Sequence, residues 1–325
     1  MATLKDVAER AGVSASLVSY VLNGKRKVKP ETLKRIEDAI EELDYYPNLQ
    51  AASLKTKHSK LIGVVVSDMS SAFNADLLTG IEEALNLQGY CMIVCNSHNS
   101  PQKEKKNMRR ILSQNIDGIL LIGMGKNDFS PLKETAVPMI CVDRYSGDDF
   151  YMVGNNNIKT GTIAARYLLS KKYKHILFLG IQKHHFSRER YQGFAEAIKN
   201  TVSTPDIIYQ DLPDITPDEA EKAVTTLLSK GVHFDAVYGC IDHFAIGALR
   251  ALYQNGLKVP EQIGVLGTDD ITPARYLTPA LSSIAQQKSA IGRTAAETLL
   301  QLIHQEKPKE KVCLLDPILI VRETC

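Results

Sequence analysis

The chain has 325 residues, of which 44% are hydrophobic and 23% are charged, a composition typical of a soluble globular protein with two or three domains. No apolar run approaches the roughly 18 residues of a membrane span, and the opening letters MATLKDVAER lack the apolar core of a signal peptide. Six cysteines are scattered through strand-like runs, which argues against a disulfide framework or a zinc site. We therefore expect a cytoplasmic protein with no membrane partner, no metal and no cofactor.

The formal net charge of +2 is unevenly distributed along the chain. Residues 1–60 contain 11 Lys and Arg against 8 Asp and Glu, whereas the remaining residues contain 28 against 29. The basic surplus therefore lies near the N-terminus. It is too small to identify a partner by itself.

Residues 1–46 have the pattern of three short helices, and we predict a helix-turn-helix domain there. Thr3 is placed to cap the first helix, with Asp6 reaching back in a capping box. Ser14 is placed to cap the second helix, and Pro30 suits the first position of the third.

The second helix is predicted within residues 13–24, and its outward side needs an explanation because so short a helix is marginal alone. Its buried side would be formed by Leu17, Val18, Val21 and Leu22. Its outward side would present Ala15, Ser16, Ser19 and Tyr20.

Residues 47–60 contain few apolar side chains and are predicted to form a linker with weak helical tendency between Asn48 and Leu54. From Leu61 onward, apolar runs of strand length alternate with amphipathic helices. The runs are LIGVVVSDM, YCMIVCNS, GILLIG, PMICVD, HILFLG, DIIYQD, AVYGCI and IGVLGTD, and a last strand is expected in VCLLDPILIVRETC.

Near-continuous apolar strands between helices predict parallel sheets that are covered on both faces. Residues 61–325 are enough for two α/β lobes with a ligand crevice at the carboxyl ends of the strands. The N-lobe is expected at about 61–159 and 288–316, and the C-lobe at about 160–287 and 317–325.

Six segments in register along the chain resemble the LacI/GalR family of bacterial transcriptional regulators. They are TLKDVAERAGVSASLVSYVLNG, YYPNLQAASLKT, LIGVVVSD, RYQGF, IDHFAIGAL and VPEQIGVLGTDD. The first 60 residues are most similar to the purine-responsive members. The resemblance implies an operator-binding head, a hinge and a periplasmic-binding-protein-like core that binds a small effector and dimerises.

By this resemblance, the second helix is the recognition helix, and Ala15, Ser16 and Tyr20 are the expected base contacts in the major groove. Phosphate contacts, which position the protein without specifying sequence, are expected from Thr3, Lys5, Ser14, Ser19, Asn23, Lys25 and the rest of the KRKVK loop. The competing interpretation is that these side chains are simply solvated.

Leu54 matches the family's wedge leucine, which enters the minor groove from both subunits and opens a base step. Its alternative role is packing on the core. The family often has Arg directly before Ser53, whereas this chain has Ala52, so Lys55 is the candidate to replace that contact.

The resemblance also implies an effector site at the strand ends. Its expected contacts are Phe73, Asn74, Asp143, Arg190, Asp242, Asp269 and Gln286. Carboxylates that accept, an Arg that donates two parallel bonds and an aromatic ring suit a neutral sugar. A sugar phosphate would need further cations, for which Arg144, Lys183 and Arg188 are available. The alternatives are that Asp242 and Asp269 cap helices, that Arg190 forms a structural ion pair, and that Asp143 lies in a polar turn.

Three positions depart from the family pattern and leave the effector open. Ile241 stands where sugar-binding members carry Asn, Leu212 stands at a position that is often aromatic, and His184 stands where the purine-binding relative carries Arg. His184 and His185 are adjacent in a loop and lack ligand spacing, so a metal site is not expected there.

We therefore expect a regulator that represses a carbohydrate-utilisation operon, associates with the nucleoid and binds a pseudo-palindromic operator as a homodimer. A dimer is preferred because no heptad repeat follows the last strand. A purine or other non-sugar corepressor remains an alternative. Two other classes are an α/β enzyme with a fused DNA-binding head and a constitutive architectural DNA binder; no catalytic motif supports the enzyme.

Overall fold

The computed structural model describes residues 2–22, 28–46, 58–123, 135–143, 150–199, 201 and 205–325. The chain divides into two compact units, Met1–Ser59 and Lys60–Cys325. No helix in the described ranges is long and apolar enough to cross a membrane.

In its described residues, the first unit contains three helices, α1 (Leu4–Ala11), α2 (Ala15–Leu22) and α3 (Pro30–Glu42). The predicted capping box is present, because Thr3 N–H donates to the Asp6 carboxylate at 2.7 Å and the Thr3 hydroxyl accepts from Asp6 N–H at 3.4 Å. The Ser14 hydroxyl likewise accepts from the amide of Leu17 at 3.2 Å. These caps and Pro30 at the start of α3 confirm the predicted helix starts.

The residues that pack helix α2 against the small core differ in part from those expected. Val18 is fully buried in the small core, and Ala15 and Val21 pack against that core. Leu17 and Leu22 were also expected to be buried, but Leu17 is only half-buried and Leu22, at the end of the helix, is 37% exposed. Ala15 was expected to face outward, yet it lies only about 60° around the helix from Val18 and therefore borders the buried side.

Within the part of the second unit that the structure describes there are two six-stranded sheets, which confirms the two-lobed α/β fold. The N-lobe sheet has the order β11-β5-β4-β3-β1-β2, with all pairs parallel. Its strands are β1 (Leu61–Val66), β2 (Cys91–Asn96), β3 (Gly118–Ile122), β4 (Met139–Val142), β5 (Tyr151–Asn155) and β11 (Val312–Leu315).

The C-lobe sheet has the order β12-β10-β9-β8-β6-β7, and only the β10–β12 pair is antiparallel. Its strands are β6 (His175–Gly180), β7 (Asp206–Asp211), β8 (Ala236–Gly239), β9 (Gly264–Asp269), β10 (Ser282–Ala285) and β12 (Ile318–Ile320). The central strands are buried on both faces, as their apolar runs predicted.

Helices cover both sheets. The N-lobe is covered by α4 (Ala72–Leu87), α5 (Pro101–Leu112) and α10 (Lys288–Ile303). The C-lobe is covered by α6 (Asn157–Ser170), α7 (His185–Lys199), α8 (Pro217–Ser229) and α9 (Asp242–Gln254), with a 3₁₀ helix at Thr272–Tyr276.

Two helix pairs pack unusually closely through glycines. A methyl group at Gly161 on α6 would lie 1.9 Å from the Arg190 carbonyl oxygen, and one at Gly193 on α7 would lie 2.0 Å from the Ile158 carbonyl oxygen. The N-lobe repeats this arrangement, because Gly292 on α10 would meet a carbonyl of α4 at 2.2 Å. Only glycine allows backbones this close.

The last predicted strand is in fact two strands in different sheets. Val312–Leu315 joins the N-lobe and Ile318–Ile320 joins the C-lobe, with Pro317 between them. Proline cannot donate to a sheet ladder, so it interrupts the run. The chain also passes between the lobes after β5 and after β10, which makes three crossings.

Candidate functional site

The guanidinium of Arg190 occupies the carboxyl-end side of the C-lobe sheet and is only 2% exposed. Its Nε donates to Asn157 Oδ1 at 3.0 Å, and its Nη1 donates to the Cys240 carbonyl at 2.5 Å. Nη1 also lies 3.4 Å from Asp269 Oδ1. A buried cation requires such partners, and these partners fix the side chain at the end of the sheet.

Asp269 ends β9 in a left-handed backbone conformation, with φ +111°. Its Oδ1 accepts from Arg190 and from the side-chain amide of Gln286. Burial raises the pKa of Asp269 to about 6, against the lowering influence of Arg190 and Lys288. The carboxyl group of Asp269 therefore titrates close to neutral pH, and its two polar donors share the oxygen Oδ1.

Asp143 reaches the same region from the N-lobe. It follows β4 with φ +47°, and its Oδ1 accepts from the Asn155 amide at 3.3 Å and from Asn155 Nδ2 at 3.0 Å. Burial lowers the pKa of Arg190, whereas the charge of Asp269 and, less strongly, that of Asp143 raise it; burial raises the pKa of Asp269, and Asp143 adds to that rise. The charge of Asp143 in the N-lobe thus acts on the buried pair of Arg190 and Asp269 in the C-lobe.

Two buried oxygens beside these residues have no hydrogen-bond partner among the described residues. They are Asn155 Oδ1 and Gln286 Oε1, and both side chains otherwise donate to the carboxylates of Asp143 and Asp269. A buried acceptor without a donor is costly, so these atoms indicate where a bound molecule or water would donate. Sequence reasoning found Gln286 but missed Asn155, because it also missed strand β5.

Asp242 differs from the other predicted effector contacts. It is fully buried at the start of α9, where Oδ2 accepts from the Ile271 amide at 2.8 Å and Oδ1 accepts from the Ser283 hydroxyl at 2.7 Å. Burial, followed by the charge of Asp269, raises the pKa of Asp242. Both oxygens thus already serve the protein, which favours the alternative of a structural role.

The first turn of α4 forms the N-lobe side of the region. Asn74 is buried and donates to the Asp68 carbonyl at 2.7 Å, and Phe73 packs partly against the N-lobe core. An aromatic side chain that the sequence did not single out is Phe186, whose ring centroid lies 5.0 Å from the Arg190 guanidinium and 5.6 Å from the His184 ring.

The two described cationic side chains that could bind a phosphate donate hydrogen bonds to main-chain carbonyls instead. Lys183 Nζ donates to the Pro213 carbonyl at 2.5 Å, and Arg188 donates to the Gln182 carbonyl at 2.7 Å, whereas Arg144 lies outside the described residues. Within the described ranges, no group of three or more His, Cys, Asp or Glu side chains is arranged to hold a metal ion.

On the first unit, the exposed candidates for DNA contact are Thr3, Lys5, Ser14, Ser16 and Tyr20, and Tyr20 is 47% exposed. Ser19 is partly buried and interacts with another group of the protein. Four further candidates, Asn23, Lys25, Leu54 and Lys55, lie outside the described residues.

A three-helix unit with a polar outward side on its second helix, followed by a two-lobed α/β core with a buried pair of charged side chains at its strand ends, is typical of a DNA-binding regulator. Residues 3–48 match the family of bacterial regulatory proteins of the lacI type, and residues 59–318 match the periplasmic binding proteins and sugar binding domain of the LacI family. The chain belongs to the LacI family.

Relatives of known name align along the whole chain. The HTH-type transcriptional repressor PurR of Pectobacterium carotovorum subsp. carotovorum (strain PC1) is 33% identical over 333 residues, covering 100% of this chain and 97% of that protein. PurR of Histophilus somni (strain 129Pt) is 32% identical over 331 residues, covering 100% and 99%.

Two solved structures are also similar over the full length. The Lac repressor dimer bound to operator and the anti-inducer ONPF has a TM-score of 0.85 and 26% identity, covering 99% of this chain and 98% of that one. The transcriptional regulator CelR in complex with cellobiose has a TM-score of 0.74 and 29% identity, covering 100% of both chains.

Proposed function

We propose that this protein is a transcriptional repressor that binds a pseudo-palindromic operator as a homodimer and changes its operator affinity when a small polar effector binds between the lobes. The observation that carries the proposal is the buried pair of Arg190 and Asp269, on which the charge of Asp143 from the N-lobe also acts, with two acceptors nearby that have no partner in the part of the chain that the structure describes. A structural ion pair alone would leave those acceptors without a purpose. Residues 47–60 would be the hinge between head and core.

A neutral sugar is the favoured effector. The site offers more acceptors than donors, because the Arg190 guanidinium is already shared among Asn157, Cys240 and Asp269. Sugar hydroxyls would donate to Asn155 Oδ1 and Gln286 Oε1, and one face of the ring would lie on an aromatic side chain. Lys183 donates to the Pro213 carbonyl after β7 and Arg188 donates to the Gln182 carbonyl after β6, which disfavours a phosphate.

A purine is the second candidate. The chain is 33% identical to a PurR over its full length, and the planar ring of Phe186 could stack with a base. His184 argues against a purine effector, because the purine-binding relative is expected to carry Arg at this position.

The proposal is tested by selecting binding sites for the full chain from random duplexes, alone and with cellobiose, lactose, glucose 6-phosphate, adenine or guanine. We expect an enriched palindrome whose recovery changes with one compound, because a twofold dimer requires a twofold site. No enriched duplex under any condition would contradict the repressor. Turnover of a panel compound would favour the α/β enzyme, and a palindrome insensitive to every compound would favour an architectural role or another effector.

Replacing Leu54 with alanine is expected to weaken operator binding at least tenfold. The physical reason is that the bent duplex is stabilised by an apolar wedge, and unstacking without the wedge costs a few kcal/mol. Fluorescence anisotropy with the selected operator measures the change. Leu87→Ala, at an exposed position in the core, is the control, and unchanged affinity of Leu54→Ala would show that Leu54 is not a wedge.

The affinity for a neutral effector is expected to fall about tenfold between pH 7.5 and pH 5, because an effector hydroxyl donates better to an ionised Asp269. With a pKa of about 6, only about a tenth of the Asp269 carboxyl is ionised at pH 5. Titration calorimetry with the responding panel compound measures it. Asp269→Asn should bind more weakly at pH 7.5 and should show a flat profile. An unchanged slope in Asp269→Asn would assign the pH dependence to another group.

A further inference from the structure

One lysine connects the two lobes beside the cleft. Lys288 is the first residue of α10, directly after the chain has crossed from C-lobe strand β10 into the N-lobe. It is 9% exposed although it is charged. Buried ammonium groups need hydrogen-bond partners, and these partners determine what the residue does.

The Lys288 ammonium has three acceptors, and they belong to both lobes. In the C-lobe it donates to the main-chain carbonyls of Asp269 at 2.9 Å and Asp270 at 3.0 Å. In the N-lobe its Nζ lies 3.1 Å from Asp76 Oδ2 on α4. An ammonium has three donors, so one side chain uses its full capacity to join the lobes.

Each end of this bridge adjoins predicted effector contacts. Asp269 carries the carboxylate that holds Arg190 and Gln286, and Asp76 lies two residues after Asn74 on the same helix. Asp269 and Asp270 both have positive φ, +111° and +47°. Non-glycine residues adopt such values only when their surroundings hold them there, and here the two carbonyls turn toward one ammonium.

We propose that the ion pair between Lys288 and Asp76 is the restraint that fixes the angle between the lobes and passes effector binding at Asp269 to helix α4. The inference rests on the proposed function, because it names how that site is regulated. A rotation of the lobes that separates α4 from the end of β9 breaks the ion pair. Lys288 is therefore a positioning residue and not an effector contact.

The test compares variants by the lobe-to-lobe distance, which needs no effector. Spin labels on a genetically encoded keto amino acid are placed at Leu87, which is 84% exposed in the N-lobe, and at Lys230, which is exposed in the C-lobe. Dilution with unlabelled protein suppresses distances between subunits. Double electron–electron resonance on the full chain then gives the distribution for wild type and each variant.

Asp76→Asn is the main variant, because it removes one charge at a half-exposed site and leaves Lys288 its two carbonyls. Glu83→Gln is the matched control, since Glu83 pairs with Arg293 at 3.2 Å between the same two helices without touching the C-lobe. We expect Asp76→Asn to broaden or shift the distribution by roughly 2 Å and Glu83→Gln to leave it unchanged. Lys288→Met should act in the same direction, and Asp76→Asn should add little to it.

An Asp76→Asn distribution identical to that of wild type would overturn the inference. A second readout separates a coupling role from a merely structural one. In Asp76→Asn, the ratio of operator affinities with and without the responding panel compound should fall from about tenfold toward one. The affinity of Asp76→Asn for the compound itself should stay within about threefold of wild type. If wild type binds no operator, the proposed function fails and the distance measurement still decides the restraint. If wild type responds and Asp76→Asn responds equally, the restraint alone fails.

Discussion

Replacing Arg190 with alanine is expected to lower the affinity for the effector about a hundredfold and to leave operator affinity nearly unchanged in protein that remains folded. A charge-assisted hydrogen bond from a guanidinium to an effector oxygen is worth about 1.5–3 kcal/mol. The change would also leave the buried carboxyl of Asp269 without its cation, and breaking a buried pair costs about 3–5 kcal/mol of stability. Binding of the responding panel compound, operator binding and thermal unfolding measure the three effects.

Two variants sharpen this prediction. Arg190→Lys keeps the charge but loses the planar fork, so it should recover stability better than effector affinity. Arg293→Ala removes an exposed arginine from another helix of the same unit and should change none of the three. Equal losses of operator affinity and effector response in folded Arg190→Ala would contradict the coupling between two separate sites.

Gly161→Ala is expected to destabilise the C-lobe by about 3 kcal/mol or more, because the new methyl would lie 1.9 Å from the carbonyl oxygen of Arg190. Helices α6 and α7 would have to separate. Since the oxygen in question belongs to Arg190 itself, the cleft should be displaced and effector affinity should fall along with the melting temperature. Calorimetric unfolding and binding of the panel compound measure the two losses.

The N-lobe supplies a matched comparison. Gly292→Ala creates a similar clash in the N-lobe, 2.2 Å from the Leu77 carbonyl oxygen. It should cost comparable stability. Gly231→Ala meets nothing within 4 Å and suffers only from its φ of +74°, so it should cost about 1 kcal/mol. Three equal melting temperatures would contradict the steric argument.

The features predicted from sequence are those that depend on neighbouring residues. The capping box involves Thr3 and Asp6, which are only three positions apart, and the buried strands appear as apolar runs because both faces of a covered sheet are apolar. Arg190 and Asp269 were identified through the family resemblance, and the structure places them in contact.

The features that were missed depend on residues far apart in sequence. Strand β5 contains a glycine and only five residues, so its pattern is weak, and Asn155 at its end was overlooked with it. Lys288 looks like an ordinary helix-start lysine until residues 76, 269 and 270 are brought together. The different hydrogen bonding of Asp242, at the start of α9, and Asp269, at the end of β9, follows from the donors around each carboxylate, which come from residues far along the chain.

The three crossings between the lobes have a mechanical consequence. They leave or enter β5, β10, β11 and β12, which are the two outermost strands at one end of each six-stranded sheet. Six strands about 4.8 Å apart give a lever of roughly 24 Å from that end to the opposite one. A turn of about 5° near the crossings would then move the far strands β2 and β7 by about 2 Å relative to each other. With this topology, a rotation too small to repack a core would change the spacing at the outer edges of the sheets.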